Sequence, residues 1–278
     1  MRRSAAGNVL IWVAAVLVVI CPGFSSAELV FRPSAPPTGN KLVINAAEQS
    51  NPRDWPATFY MESETKICTS TVVGPRVIIT AAHCITADPS SKGTPGTVES
   101  GSDSINVHCL RDPAYSANSS LKSQDIAVCT VDSDEHRDIP IPYGGGYERV
   151  SFNSTLLAPR QAVRLIGYGC RMLLGGGPEG ELWDGVSYRQ ADSSSTGSGA
   201  IELRRGAAAC FGDSGGATYL ETDSLRRLIV GVVVKSDLID QTYLAPIGPD
   251  KKNGFFNEKT ADLLVCGRDP TVNPRCHP

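Results

Sequence analysis

The chain has 278 residues, a formal net charge of −3 and nine cysteines but only four histidines. A mildly acidic surface disfavours nucleic acid as a main partner, and the shortage of histidine together with the lack of any CxxC pair disfavours a zinc site. The length allows one large core or two smaller ones.

Arg2 and Arg3 precede an apolar run over residues 9–20, which is shorter than the about 20 residues a membrane span needs. Ser25-Ser26-Ala27 is a small-residue cleavage site, so residues 1–27 read as a secretory signal peptide, with an uncleaved anchor as the alternative. Ile20 before Cys21 is too large for a lipoprotein cleavage site. Removing residues 1–27 takes away two arginines and no acids, and the formal charge falls from −3 to −5. Eight cysteines remain behind an export signal, which points to disulfides in an extracellular or periplasmic compartment and to no membrane attachment of the mature form.

Residues 28–41 hold Pro33, Pro36, Pro37 and Gly39 and read as an extended propeptide or linker outside the core. From Cys68 onward short apolar stretches are separated by Gly, Pro, Asn and Ser. Residues 70–73 and 77–80 flank Gly74-Pro75-Arg76 as a hairpin, and residues 125–131, 162–166, 200–203 and 228–235 also read as strands. A crossing between two halves is expected over 137–159, with Pro140, Pro142 and three consecutive glycines from Gly144. Gly175-Gly176-Gly177 and Ser193-Ser194-Ser195 have loop composition. The first helical periodicity comes at 258–266, with Asn257 as N-cap and Gly267 as the stop. This pattern predicts an all-β chain of two antiparallel barrels with a short C-terminal helix.

Three segments carry chemistry. Gly212-Asp213-Ser214-Gly215-Gly216 can form a tight turn that presents a hydroxyl while backbone N–H groups point at the same spot, as an acyl-transfer nucleophile requires. Thr80-Ala81-Ala82-His83-Cys84 and Asp125-Ile126-Ala127-Val128 lie upstream, the histidine 42 residues before the aspartate. Taken singly, His83 also reads as a buried structural histidine and Asp125 as a residue that begins a strand. His108, His136 and His277 have no comparable context and read as surface residues.

In the order His, Asp, Ser, these motifs resemble the chymotrypsin-like (trypsin-type) serine peptidases, over residues 42–266. The resemblance implies two six-stranded antiparallel Greek-key barrels, over about 42–140 and 159–255, with a terminal helix and tail at 256–278. It implies Ser214 as nucleophile, His83 as general base and Asp125 as the residue that orients His83. Gly212 and Ser214 would supply the oxyanion-hole N–H groups. Val43-Ile44-Asn45-Ala46 is similar to the family's mature N-terminus, and Trp55-Pro56 matches a pair found shortly after it. Cleavage after Lys41 would then release an α-amine that pairs with Asp213.

The same resemblance places Ala208 at the base of the primary specificity pocket, with Val234 and Ser236 beside the substrate. Alanine there favours a neutral apolar side chain, unless Asp237, Asp240 or Arg171 reaches in. Val234 stands where the family has a serine that donates to the catalytic aspartate, and Lys235 stands where it has an aromatic residue. The family's most widespread bridge matches Cys68–Cys84. Cys109–Cys129 and Cys266–Cys276 are expected to pair as well, with Cys170 and Cys210 remaining. No cofactor is implied, and the partners are polypeptide substrates and protein protease inhibitors. The expectation is a secreted serine endopeptidase. Its rivals are a catalytically weak homologue that acts by binding or regulation, and an ester hydrolase on the same scaffold.

Overall fold

The computed structural model describes residues 28–33, 47–63, 65–85, 93–118, 122–151, 156–177, 179–191, 199–221 and 227–247. The expected signal peptide, the Lys41 cleavage site, the C-terminal helix and the Cys266–Cys276 pair lie outside them.

Seven strands build the first barrel: β1 (Leu29–Pro33), β3 (Thr58–Glu62), β4 (Ile67–Gly74), β5 (Val77–Thr80), β6 (Thr94–Ser100), β7 (Asp103–Arg111) and β8 (Ala127–Val131). They close in the order β1-β3-β4-β5-β8-β7-β6. All neighbours are antiparallel except β1 and β6, which run parallel. Phe59, Ile78, Ile79, Ile105 and Val107 fill the interior. β4 is buried at nearly every position, on both faces, because its outer side abuts the other barrel.

The barrel therefore has seven strands rather than six, and the extra strand comes from the segment expected to lie outside the core. Leu29 and Phe31 are fully buried, whereas Val30 and Arg32 are partly exposed. That alternation is the period of a strand with one buried face. Only four residues of it precede the first of the prolines that give the segment its linker composition. Pro33 is tolerated because it ends the strand. Arg32 reaches Glu62 at 2.8 Å and Glu99 at 2.7 Å, an ion pair to each neighbouring strand.

The second barrel contains β9 (Ala162–Gly167), β10 (Trp183–Arg189), β11 (Ile201–Arg204), β12 (Ala217–Glu221), β13 (Arg227–Ser236) and β14 (Gln241–Pro246). Pairing of β10 with β11 closes these six strands, and β2 (Ala47–Gln49) attaches to β10 from outside. Leu157, Val163, Leu203, Val233 and Leu244 form its core. The segment between the barrels contains a short 3-10 turn at Pro142–Gly144. Arg227 fastens it: the guanidinium lies 3.8 Å from the Trp55 ring centre and pairs with the buried Glu148 of the crossing. Among the described residues the only helices are single 3-10 turns, and none is long and apolar enough to cross a membrane.

Three disulfides join Cys68 to Cys84, Cys109 to Cys129, and Cys170 to Cys210. Cys109 and Cys129 stand directly opposite on β7 and β8.

Candidate active site

The first barrel presents a histidine and an aspartate. β5 ends at Thr80, and Ala82–Cys84 forms a 3-10 turn that projects His83. Ala81 and Ala82 are wholly buried, so small side chains are needed where the turn folds back on the barrel. The disulfide to Cys68 on β4 fastens the turn from the other side. Asp125 follows a 3-10 turn at Lys122–Gln124 and precedes β8. Its Oδ1 accepts the His83 backbone N–H at 2.8 Å, and its Oδ2 meets Nδ1 of the ring at 2.8 Å. An Nδ1–H donating to a carboxylate leaves Nε2 as the free basic nitrogen. The aspartate side chain is 7% exposed and the imidazole 26%, so the acid is shielded while the ring stays accessible.

The second barrel presents Ser214 on a turn defined by backbone bonds. The Asp213 N–H donates to Cys210 O at 3.1 Å, Gly216 N–H to Asp213 O at 2.9 Å, and Gly215 N–H to Val233 O at 2.8 Å. Gly212 has φ +96° and Gly215 has φ +86°, which L side chains rarely adopt. A Cβ on Gly215 would also lie 2.1 Å from Thr69 O and from Thr80 Oγ1. The glycines therefore bring the serine turn directly against β4 and β5. Among the described residues the backbone N–H groups of Gly212 and Ser214 have no acceptor. Two neighbouring donors left open beside a hydroxyl are suited to receive an anionic oxygen.

The two halves meet at Cys84, whose Sγ lies 3.7 Å from Ser214 O. No hydrogen bond joins Ser214 to His83 among the described residues, and Nε2 has Cys84 Sγ as its polar neighbour at 3.8 Å. Catalytic hydrogen bonds are often long before substrate binds. Cys68, His83 and Cys84 lie close enough to suggest a metal cluster, but both sulfurs are spent in a disulfide, which leaves a single ligand.

Asp213 points away from Ser214. Its Oδ1 accepts Gly169 N–H at 2.7 Å and its Oδ2 accepts Cys210 N–H at 2.8 Å. Desolvation pushes its carboxyl up to about 6, and these two bonds pull it back only in part. It borders a cleft that is also lined by Ala207, Ala208, Ala209, Trp183, Gly185 and Val233.

Ala208, expected at the base of the specificity pocket, lines this cleft, but the cleft lies on the Asp213 side of the serine turn and is not lined by Ser214, Gly212 or His83. Val233 faces it, and along a strand the next side chain turns the other way. Val234 is buried in the larger core cluster, which also includes Ala81, Ala82 and Ile126. The Ser236 hydroxyl accepts the Leu238 N–H at 2.9 Å. Asp237 is occupied by its own turn, where Oδ1 accepts the N–H groups of Ile239, Asp240 and Gln241. Arg171 pairs with Glu181 at 2.5 Å and stacks 3.9 Å from the Trp183 ring centre. Neither Asp237, Asp240 nor Arg171 lines the cleft.

Sequence reasoning missed Thr69, a fully buried residue at the junction of the two halves. Nothing in its neighbours marks it, because a threonine on a strand is ordinary. It also missed an apolar rim of exposed side chains, Met172, Leu174 and Phe211, beside the Cys170–Cys210 bridge.

A family model described as Trypsin matches residues 43–242 of the chain. No curated protein matches it.

Proposed function

The chain belongs to the trypsin family, and from that premise we propose that it is a secreted serine endopeptidase acting through Ser214, His83 and Asp125. The observation that carries this reading is the double grip of Asp125 on His83, set against a serine turn whose two N–H groups are unoccupied. His83 Nε2 takes the Ser214 proton as Oγ attacks the scissile carbonyl. The carbonyl oxygen becomes an oxyanion and accepts from the N–H groups of Gly212 and Ser214. The tetrahedral centre collapses, the C–N bond breaks, and His83 returns the proton to the leaving amine. Water, deprotonated by His83, then attacks the acyl-enzyme, and Ser214 regains its proton. Asp125 holds the ring and stabilises the imidazolium in both halves.

Alanine at 208, where the resemblance puts the base of the specificity pocket, supports a preference for neutral side chains on the acyl side of the scissile bond. Cleavage after Lys41 would supply the α-amine for Asp213. The three disulfides support an oxidising, extracytoplasmic location.

The test is Ser214→Ala. Turnover of peptide substrates should fall to the residual roughly 10³–10⁴-fold over water that binding and the oxyanion hole alone sustain, while the fold is retained. Near-wild-type hydrolysis by the variant would overturn the nucleophile assignment. The absence of a Ser214–His83 hydrogen bond favours a second reading, a catalytically weak homologue that works by binding. Failure of a fluorophosphonate to label Ser214 would select it.

A further inference from the structure

We infer that Thr69 is a positioning residue that shapes the oxyanion hole from the opposite barrel, an inference that rests on the peptidase reading. Four hydrogen bonds converge on it. Its backbone N–H donates to Ser214 O at 2.8 Å, and its hydroxyl donates to Gly212 O at 2.8 Å. The same hydroxyl accepts the Tyr168 N–H at 3.1 Å, and Thr69 O accepts the Thr80 hydroxyl at 2.9 Å. Thr69 is completely buried, and so is Tyr168 to within 1%.

The geometry of these contacts decides what they control. The carbonyls of Gly212 and Ser214 bracket Asp213, so Thr69 holds both ends of the three-residue turn. The peptide plane is rigid, so fixing the Gly212 and Ser214 carbonyls limits how the turn can rotate. The N–H groups left open, those of Gly212 and Ser214, belong to the same short segment. Thr69 thus anchors the donors without touching the substrate. Asp213 anchors the same turn from the other side, through Gly169 and Cys210. The clamp needs a hydroxyl that both donates and accepts, which serine supplies and valine does not. Thr69→Val would keep the shape and leave Gly212 O and Tyr168 N–H without partners in a dry site.

The experiment compares wild type, Thr69→Val and Thr69→Ser as full-length chains carried through the same maturation. Two readouts are taken: steady-state kinetics on one peptide substrate, and amide hydrogen exchange of peptides covering residues 207–216. Thr69→Val should lower kcat about 10–100-fold, within the range for a donor that is displaced rather than deleted, with KM changed less than about threefold. Exchange should rise over 210–216 but not in β7 or β8. Thr69→Ser should restore both. Equal losses in the valine and serine variants would overturn the inference, because they would point to packing rather than the hydroxyl. So would a loss confined to KM, or unchanged exchange over 210–216. If wild type itself neither hydrolyses substrate nor reacts with a fluorophosphonate, the peptidase reading fails, and the exchange measurement still decides the clamp.

Discussion

The two barrels contribute to the site in different ways. The first delivers His83 and Asp125 already bonded to each other, on a turn stapled by the Cys68–Cys84 disulfide. The second delivers Ser214 on a glycine turn whose carbonyls are held by a residue of the first. The N-terminal region is divided in the same way. β1 completes the wall of the first barrel with two fully buried side chains, whereas β2 is three residues laid on the outside of the second. One half of the site is self-supporting and the other leans on its neighbour. Damage to the first barrel should therefore reach the serine, while damage to the margin of the second should not reach the His83–Asp125 pair.

The largest effect should come from breaking the self-supporting half at its charge. Asp125→Asn keeps the shape, but its amide can no longer accept at both oxygens. The ring would then be held in the wrong tautomer, and kcat should fall by about 10⁴-fold. A loss of less than tenfold in the variant would show that Asp125 does not orient His83.

Next in size is the test of β1. Phe31 is wholly buried, and its ring fills the space left by Gly96, where a Cβ would come within 3.1 Å of it. Phe31→Ala should cost about 3–5 kcal/mol in urea denaturation, a large share of the roughly 5–15 kcal/mol that holds a typical domain folded. Gln49→Ala on β2 removes one 3.2 Å bond to Glu181 and should change stability by less than about 1 kcal/mol. Equal costs would erase the contrast between the two strands. Because β1 is held by ladders to β3 and β6, a cut introduced between residues 34 and 46 should leave residues 28–33 seated. The fragment should co-elute with the remainder on gel filtration, and the Phe31→Ala form should lose it.

This contrast also marks what could be read from sequence. The His83 and Ser214 motifs were legible because their chemistry demands unusual local patterns, a serine among glycines above all. Strands such as β5 and β13 were legible as apolar runs bounded by turn residues. β1 was not, because four alternating residues before Pro33, Pro36 and Pro37 look like the start of an extended linker, and only pairing partners 26 and more residues away make them a strand. Thr69 was invisible for a similar reason: its role exists only once the second barrel lies against it. The placement of Val234 turned on the pleat. Its side chain joins the larger core cluster, while Val233 lines the cleft beside Asp213.

Asp213 tests whether the leaning half is anchored differently before and after cleavage. In the chain as it stands, burial raises the carboxyl to about 6 from an ordinary 3.8. The folded state then holds this proton more tightly than the unfolded state does. The resulting stability is complete below about pH 4 and is lost as pH rises through 6, amounting to about 3 kcal/mol for a shift of about two units. Denaturation of the uncut protein should show that fall, and Asp213→Asn should flatten it. A free α-amine at Leu42 would pair with the carboxylate, lower its pKa and abolish the fall in the cut protein. An identical pH profile before and after cleavage would rule out the pairing.

The smallest effect concerns substrate choice, and it rests on the second barrel alone. Ala208, expected at the base of the specificity pocket, is flanked by Ala207 and Ala209, so no carboxylate stands at that position. Asp213 is committed to Gly169 and Cys210, and Asp184 to Ser50 and Arg164. Asp237 is turned back on its own loop. A lysine or arginine side chain entering a pocket based on Ala208 would lose its hydration without gaining a carboxylate partner there, at a cost of several kcal/mol. Each 1.36 kcal/mol is tenfold in rate, so neutral apolar residues should exceed arginine by at least about a hundredfold in kcat/KM. Acidic side chains should be disfavoured for the same reason, since Arg171 is held by Glu181 and Trp183. A positional-scanning peptide library measures this directly. Dominant cleavage after arginine or lysine would mean that Asp237 or Asp240, not Ala208, sets the pocket. The variants Asp237→Asn and Asp240→Asn would then show which, by the loss of that basic preference.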